Sequence, residues 1–185
     1  GQDMVEESRR TKDGEHKVSA YLAIDKFSES HLPLLAAVNG YCYGGGAALA
    51  IACDIRLASE SATFRLPGAE YGLVVGAAAL PRLVGVARAK EVILTGRKFT
   101  AVEAKEWGFV NEVRTQEVLL EYAVKMALQI AANSSVAVRE SKRIMDQATL
   151  DPRFREVEAA VNKELRGSEE QVRRFREATK RITRR

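Results

Sequence analysis

The chain has 185 residues, 46% of them hydrophobic and 29% charged, with 13 glycines, 4 prolines and a net charge of +4. That is one domain of ordinary size, or one with an appendage, and it is enough chain to bury a core. Collagen-like, disordered and low-complexity readings are excluded by this balance. The excess charge lies wholly in the tail: residues 151–185 hold 11 basic and 7 acidic residues, and the first 150 carry 18 of each. A basic tail suits the phosphates of a nucleotide-like cofactor as well as it suits nucleic acid, so nucleic acid is not the expected partner.

In chain order, RRTKDGEHK reads as a loop. Val18, Tyr21, Leu22, Ile24 and Phe27 then fall mostly at three- and four-residue steps, the pattern of a helix with one apolar face. His31-Leu32-Pro33 ends it, because proline moves the residue before it away from helical angles. LLAAVNG reads as a short buried strand and turn, although a run of that length does not by itself exclude a helix. Together with LLAAVNG, the stretch Tyr41-Cys42-Tyr43-Gly44-Gly45-Gly46 and then AALAIACD read as strand, glycine turn and helix.

DIRLASESATFRLP resembles two short strands about a serine turn, and LVVGAAALPRLVG a loop running into a short apolar helix. ARAKEVILTG is a further helix stopped by Gly96, and the next begins at Thr100 with Glu103 three residues on, a capping box. From Glu117 to the end the chain is helical, broken at Asn133-Ser134-Ser135, Asp151-Pro152 and Gly167-Ser168. The reading is an α/β core over residues 1–113 and a helical region over 114–185. Only two or three strands are evident, so the sheet is incomplete as written and further N-terminal strands are expected outside this chain.

The N-terminal GQDMVEESRR lacks the order of a signal peptide and no apolar run reaches membrane-spanning length, so a soluble protein of the cytoplasm, or of an organellar matrix, is expected, with no membrane partner. Cys42 and Cys53 sit in apolar sequence without metal-ligand spacing, and His16 and His31 are scattered, so reduced buried thiols and no metal are expected.

Three successive glycines between a strand and a helix can present bare amides beside the positive helix end, or can serve tight helix-to-strand packing. No Gly-Lys-Ser/Thr follows, which argues against a nucleotide phosphate loop. The longer run AAVNGYCYGGGAALAIACDIRLASESATF is more specific. It resembles the enoyl-CoA hydratase/isomerase, or crotonase, superfamily, with its pattern A-x-x-G-x-x-x-G-G-G-x-E-L-x-x-x-C-D-x-R-x-A. The resemblance continues through LVVGAAALPRLVGVARAKEVILTGRKFTAVEAKEWGFVNEV, and Gly1-Gln2-Asp3-Met4 is similar to the end of the family's A-G-x-D-L motif.

The resemblance implies a crotonase-like ββα spiral core followed by a C-terminal helical oligomerisation region, and a homotrimer or dimer of trimers. It implies an acyl-CoA substrate, with coenzyme A entering only as part of that substrate and no other cofactor. The thioester carbonyl is expected between the backbone amides of Gln2 and Gly45, with Gly1, Asp3, Met4, Gly68 and Lys180 also lining the substrate site. Such donors stabilise an enolate-like charge as it develops.

The two glutamates that hydratases of the family use as acid and base map onto Ala48 and Gly68, neither of which can move a proton. Standard hydration is therefore not expected, and a catalytically inactive acyl-CoA-binding or assembly subunit is the alternative. Glu70, two residues past the vacant position, is the candidate replacement; Asp54 is expected to cap or pair, and Tyr43 and Tyr71 to pack. No aspartate follows Leu73, where Val74, Val75 and Gly76 stand. Lys180 and Arg181 resemble the family's basic pair near the CoA phosphates, with a solvated charge run as the plain reading. Val118, Leu119, Tyr122, Val124, Met126 and Leu128 offer more apolar surface than one small core needs, which fits a homo-oligomer.

Overall fold

The computed structural model describes residues 20–149 and 151–183. Helix α1 (Ala20–Ser28) stops ahead of Pro33 and packs on the helix after the glycines. Strand β1 (Leu35–Val38) and helix α2 (Gly45–Ala52) follow as the sequence indicates, and between them Tyr41–Tyr43 forms a further strand, β2. Strands β3 (Ile55–Ser59) and β4 (Thr63–Arg65) flank the serine turn.

A 3-10 turn over Ala69–Tyr71 leads to α3 (Leu80–Thr95), two helical pieces hinged at Gly85, where φ is 77° and ψ 157°. Strand β5 (Lys98–Thr100), helix α4 (Ala101–Glu106) and strand β6 (Glu112–Arg114) complete the core. Thr100 and Glu103 form the expected capping box, each side chain bonding the other residue's backbone N–H.

Two three-stranded sheets result. One is parallel in the order β1-β3-β6, with Leu35 opposite Ile55 and Leu57 opposite Glu112. The other pairs β2 parallel to β4 and β4 antiparallel to β5, with Phe64 between Cys42 and Phe99. Six strands among the described residues correct the expected two or three. β5 and β6 are three residues each, too short for an alternation to register, and only their pairing with β4 and β3 makes them strands. The expected division after residue 113 falls inside β6.

The main core is built on Phe64, Phe99 and Phe109, packed ring against ring at centroid distances of 5.3 to 5.8 Å. Arg56 is buried beside it and bonds the carbonyls of Ala50 and Cys53 at the end of α2 and that of Phe109. A cation there complements the negative end of the α2 dipole and fixes the helix by its C-terminus, leaving the glycine end free for other use.

The helical region comprises α5 (Gln116–Ala131), α6 (Ser135–Thr149), α7 (Pro152–Leu165) and α8 (Glu169–Thr183). The apolar stripe of α5 divides: Leu119 and Ala123 bury against Leu57, with Tyr122 and Met126 beside them, and Val118, Val124 and Leu128 are exposed. Among the described residues no helix is long and apolar enough to cross a membrane.

Candidate active site

The turn after β2 is made by Gly44, whose φ of 52° and ψ of −115° suit only glycine. Its N–H donates to the carbonyl of Arg65 on β4 at 3.0 Å, and its carbonyl accepts the Ala48 N–H at 2.9 Å to open α2. The bond to the neighbouring strand is thus made by Gly44 and not by Gly45. Gly45 is the first residue of α2, and among the described residues its N–H has no hydrogen-bond partner. A Cβ added at Gly44 or Gly45 would meet nothing within 4 Å. Among the described residues, tight helix-to-strand packing therefore does not account for these two glycines.

One turn into α2, Ala48 lines a cavity of about 140 Å³ together with Ile51, Val75 and Gly76 from the core, Asp25 of α1 and Arg155 of α7. Gly68 is not part of that lining. It is buried at the start of the 3-10 turn, its carbonyl taken by the N–H groups of Tyr71 and Leu73 at 2.9 and 2.8 Å. A Cβ on it would lie 2.8 Å from the Leu73 carbonyl oxygen and 3.0 Å from Val75. The two positions mapped to the hydratase glutamates thus differ: Ala48 borders open space and Gly68 is closed to any side chain.

Glu70 is spent elsewhere. One carboxylate oxygen pairs with the guanidinium of Arg65 and the other with that of Arg181 on α8 at 2.8 Å. Arg65 also donates through Nε to the Gly96 carbonyl at 2.6 Å. Glu70 ties the C-terminal helix to the core, and of the basic pair Lys180 is exposed and makes no ion pair among the described residues. Tyr71 packs edge-on against Phe175 at 5.9 Å; burial, then the neighbouring Glu70 charge, raises its pKa above the usual tyrosine range. The Tyr43 hydroxyl bonds Thr63 Oγ1 at 2.9 Å.

Asp54 pairs structurally: one oxygen accepts the Leu34 N–H at 2.7 Å, and the other meets the ammonium of Lys142, which also reaches Asp146 at 3.0 Å. Burial alone would lower the pKa of Lys142, but the two carboxylates outweigh it and hold it above the usual lysine range. Cys42 and Cys53 are free and buried, and burial pushes the Cys42 thiol up to about 12. Among the described residues, no three His, Cys, Asp or Glu side chains are placed to hold a metal ion.

Two residues that the motif reading passes over shape the cavity. Glu158 of α7 accepts the N–H of Gly76 at 2.9 Å on one carboxylate oxygen and that of Ala78 at 2.7 Å on the other. Asn162, one turn on, bonds both backbone groups of Val74. Their spacing of four puts both on one face of α7, but nothing in the sequence says what that face meets. The expected contributions of Gly1, Gln2, Asp3 and Met4 lie outside the described residues.

Comparison with known proteins gives a consistent picture. Residues 1–182 match the Enoyl-CoA hydratase/isomerase family. The chain is 47% identical over 110 residues to the mevalonyl-coenzyme A hydratase sidH of Aspergillus fumigatus, an alignment covering 58% of this chain and 41% of that protein. It is 42% identical over 115 residues to the carnitinyl-CoA dehydratase of Salmonella typhi, covering 60% and 44%. The aligned part is less than half the length of either relative. Among solved structures, an enoyl-CoA hydratase/isomerase from Pseudoalteromonas atlantica superposes with a TM-score of 0.76 at 31% identity, over 89% of this chain and 70% of that one. An enoyl-CoA hydratase from Mycobacterium avium subsp. paratuberculosis superposes with a TM-score of 0.78 at 29% identity, over 85% and 66%.

Proposed function

The chain belongs to the enoyl-CoA hydratase/isomerase family, and from that premise we propose that it binds an acyl-CoA thioester with the carbonyl oxygen on the Gly45 amide. The observation that carries this reading is the Gly45 N–H itself, unpartnered among the described residues at the positive end of α2, where a Cβ would meet no described atom within 4 Å. A donor fixed in that position stabilises an enolate-like charge at no reorganisation cost, and losing one such donor typically costs about 3 to 4 kcal/mol of transition-state stabilisation. Gln2 supplies the second amide in this reading.

Hydration by two glutamates is not part of the proposal, because Ala48 carries no acid and Gly68 has no room for one. Chemistry with a smaller acid–base demand, such as isomerisation, fits the site better. Coenzyme A is the only cofactor-like group required, and it arrives with the substrate. Exposed apolar side chains on the helical region, Leu120, Leu128, Ile144 and Phe154 among them, support assembly into a homotrimer or a dimer of trimers. The setting proposed is the cytoplasm or an organellar matrix.

The second reading, a non-catalytic acyl-CoA-binding subunit, is favoured by one observation: Glu70, the replacement acid suggested by the sequence, has both oxygens engaged by arginines. Thermal shift against a panel of acyl-CoAs tests what the readings share, since a ligand that binds the folded state raises Tm. The expected result is stabilisation by acyl-CoAs; no shift with any of them would overturn both readings. Crotonyl-CoA hydration at rates usual for an enzyme would overturn the exclusion of hydratase chemistry.

A further inference from the structure

We propose that Asp25 is the proton-transfer group of the cavity beside Ala48, the role that neither Ala48 nor Gly68 can fill. The inference rests on the acyl-CoA reading above and deepens it by naming the acid–base residue.

Among the described residues, the cavity has three ionisable side chains in its wall: Asp25, Arg155 and Glu158. Glu158 has one oxygen on the Gly76 N–H and the other on the Ala78 N–H, so it holds the loop in place. A guanidinium does not serve as a base in proteins, which sets Arg155 aside. Asp25 is the remaining group, and among the described residues its carboxylate makes no hydrogen bond or ion pair. Among the described residues the other walls add no competitor, because neither α2 (Gly45–Ala52) nor residues 75–79 contain a titratable side chain.

Asp25 and Ala48 share this cavity because α1 packs on α2. Alanine at position 48 carries no acid into the cavity, and Asp25, an exposed residue, borders the same cavity from the neighbouring helix. Ala48 stands three residues after Gly45 on α2, so this wall of the cavity lies about one helical turn from the proposed carbonyl-binding amide.

The step is a proton transfer. The Asp25 carboxylate takes a proton from the carbon next to the thioester; the C–H electron pair becomes the bond between that carbon and the carbonyl carbon. The carbonyl π pair moves onto oxygen, where the Gly45 N–H meets it. Return of the proton to the same carbon gives exchange with solvent, and delivery to the carbon two bonds farther along an enoyl chain moves the double bond. No oxidant or other co-reactant enters.

The test is deuterium incorporation at the α-carbon of butyryl-CoA and octanoyl-CoA in D2O, followed by NMR on the full-length protein and its Asp25→Asn and Asp25→Glu variants. The same acyl-CoAs are used in thermal shift on each. Expected are exchange by the native protein, a fall of about 100-fold or more in Asp25→Asn, partial recovery in Asp25→Glu, and unchanged ligand-induced shifts in Tm. Equal exchange in Asp25→Asn, or binding by the native protein with no exchange, overturns the role of Asp25 and leaves acyl-CoA binding intact. Absence of any ligand-induced shift in the native protein overturns the acyl-CoA reading itself.

Discussion

Asn162 and Val74 hold each other by a reciprocal pair of hydrogen bonds across 88 residues of sequence. The Asn162 side-chain amide donates to the Val74 carbonyl at 2.6 Å, and its oxygen accepts the Val74 N–H at 2.8 Å. Asparagine suits this place because one side chain offers both a donor and an acceptor. The pair joins α7 to the loop that forms one wall of the Ala48 cavity, so the cavity exists only while α7 is docked.

Asn162→Ala should therefore lower stability by about 2 kcal/mol, since it leaves both a donor and an acceptor of Val74 without their partner. Urea unfolding of the variant and native protein measures this. A loss below a few tenths of a kcal/mol would mean that α7 does not hold the loop.

Gly44 and Gly45 should separate fold from function. Gly44→Ala forces a side chain into a backbone conformation with φ of 52°, at a cost of about 1–3 kcal/mol in stability. Gly45→Ala places its Cβ in open space at the first position of a helix, so it should fold normally and yet obstruct the approach of a thioester. A normal melting curve with at least about a tenfold loss of acyl-CoA affinity, about 1.4 kcal/mol, is the expected pattern. Unchanged affinity would remove Gly45 from the site.

The two vacated positions should respond differently to glutamate. Ala48→Glu adds a side chain that borders a cavity and should leave a folded protein, whereas Gly68→Glu drives a Cβ to 2.8 Å from the Leu73 oxygen. Overpacking of that kind costs about 1–3 kcal/mol or more. Thermal melts of the two variants side by side test the contrast, and equal stability would contradict it.

Lys142→Met should destabilise by about 2 kcal/mol, less than the roughly 3–5 for a fully buried broken pair because Asp54 and Asp146 retain some solvent. The pH dependence has a definite sign. The folded pKa of Lys142 lies above its unfolded value, so its contribution is complete below a pH of about 10.4 and is lost as pH rises through the folded value. Denaturation midpoints at neutral and strongly alkaline pH should converge between the variant and the native protein.

Cys42 should resist alkylation by iodoacetamide at pH 8 in the folded state, because burial holds its thiol at about 12 and leaves almost no thiolate. Unfolding in urea should restore ordinary reactivity. Rapid labelling under native conditions would show that the core around β2 opens.

Much of this protein was legible from residues alone. Proline and glycine signals placed the breaks between helices, the capping box at Thr100 and Glu103 marked the start of α4, and strand, glycine turn and helix lay where the small apolar residues put them. These features are local, so a few neighbouring residues suffice to specify them. The motif run and the absence of acids at Ala48 and Gly68 also stood in the sequence.

What the sequence left open depends on residues far apart meeting. β5 and β6 are strands because β4 and β3 lie beside them, and Glu70 is a tie because Arg65 and Arg181 converge on it. Likewise, Asp25, Ala48 and Glu158 share a cavity although 133 residues separate the first from the last. Periodicity and spacing report which face a residue occupies, but only folding decides what that face touches, and the chemistry of a cleft is set by what it touches.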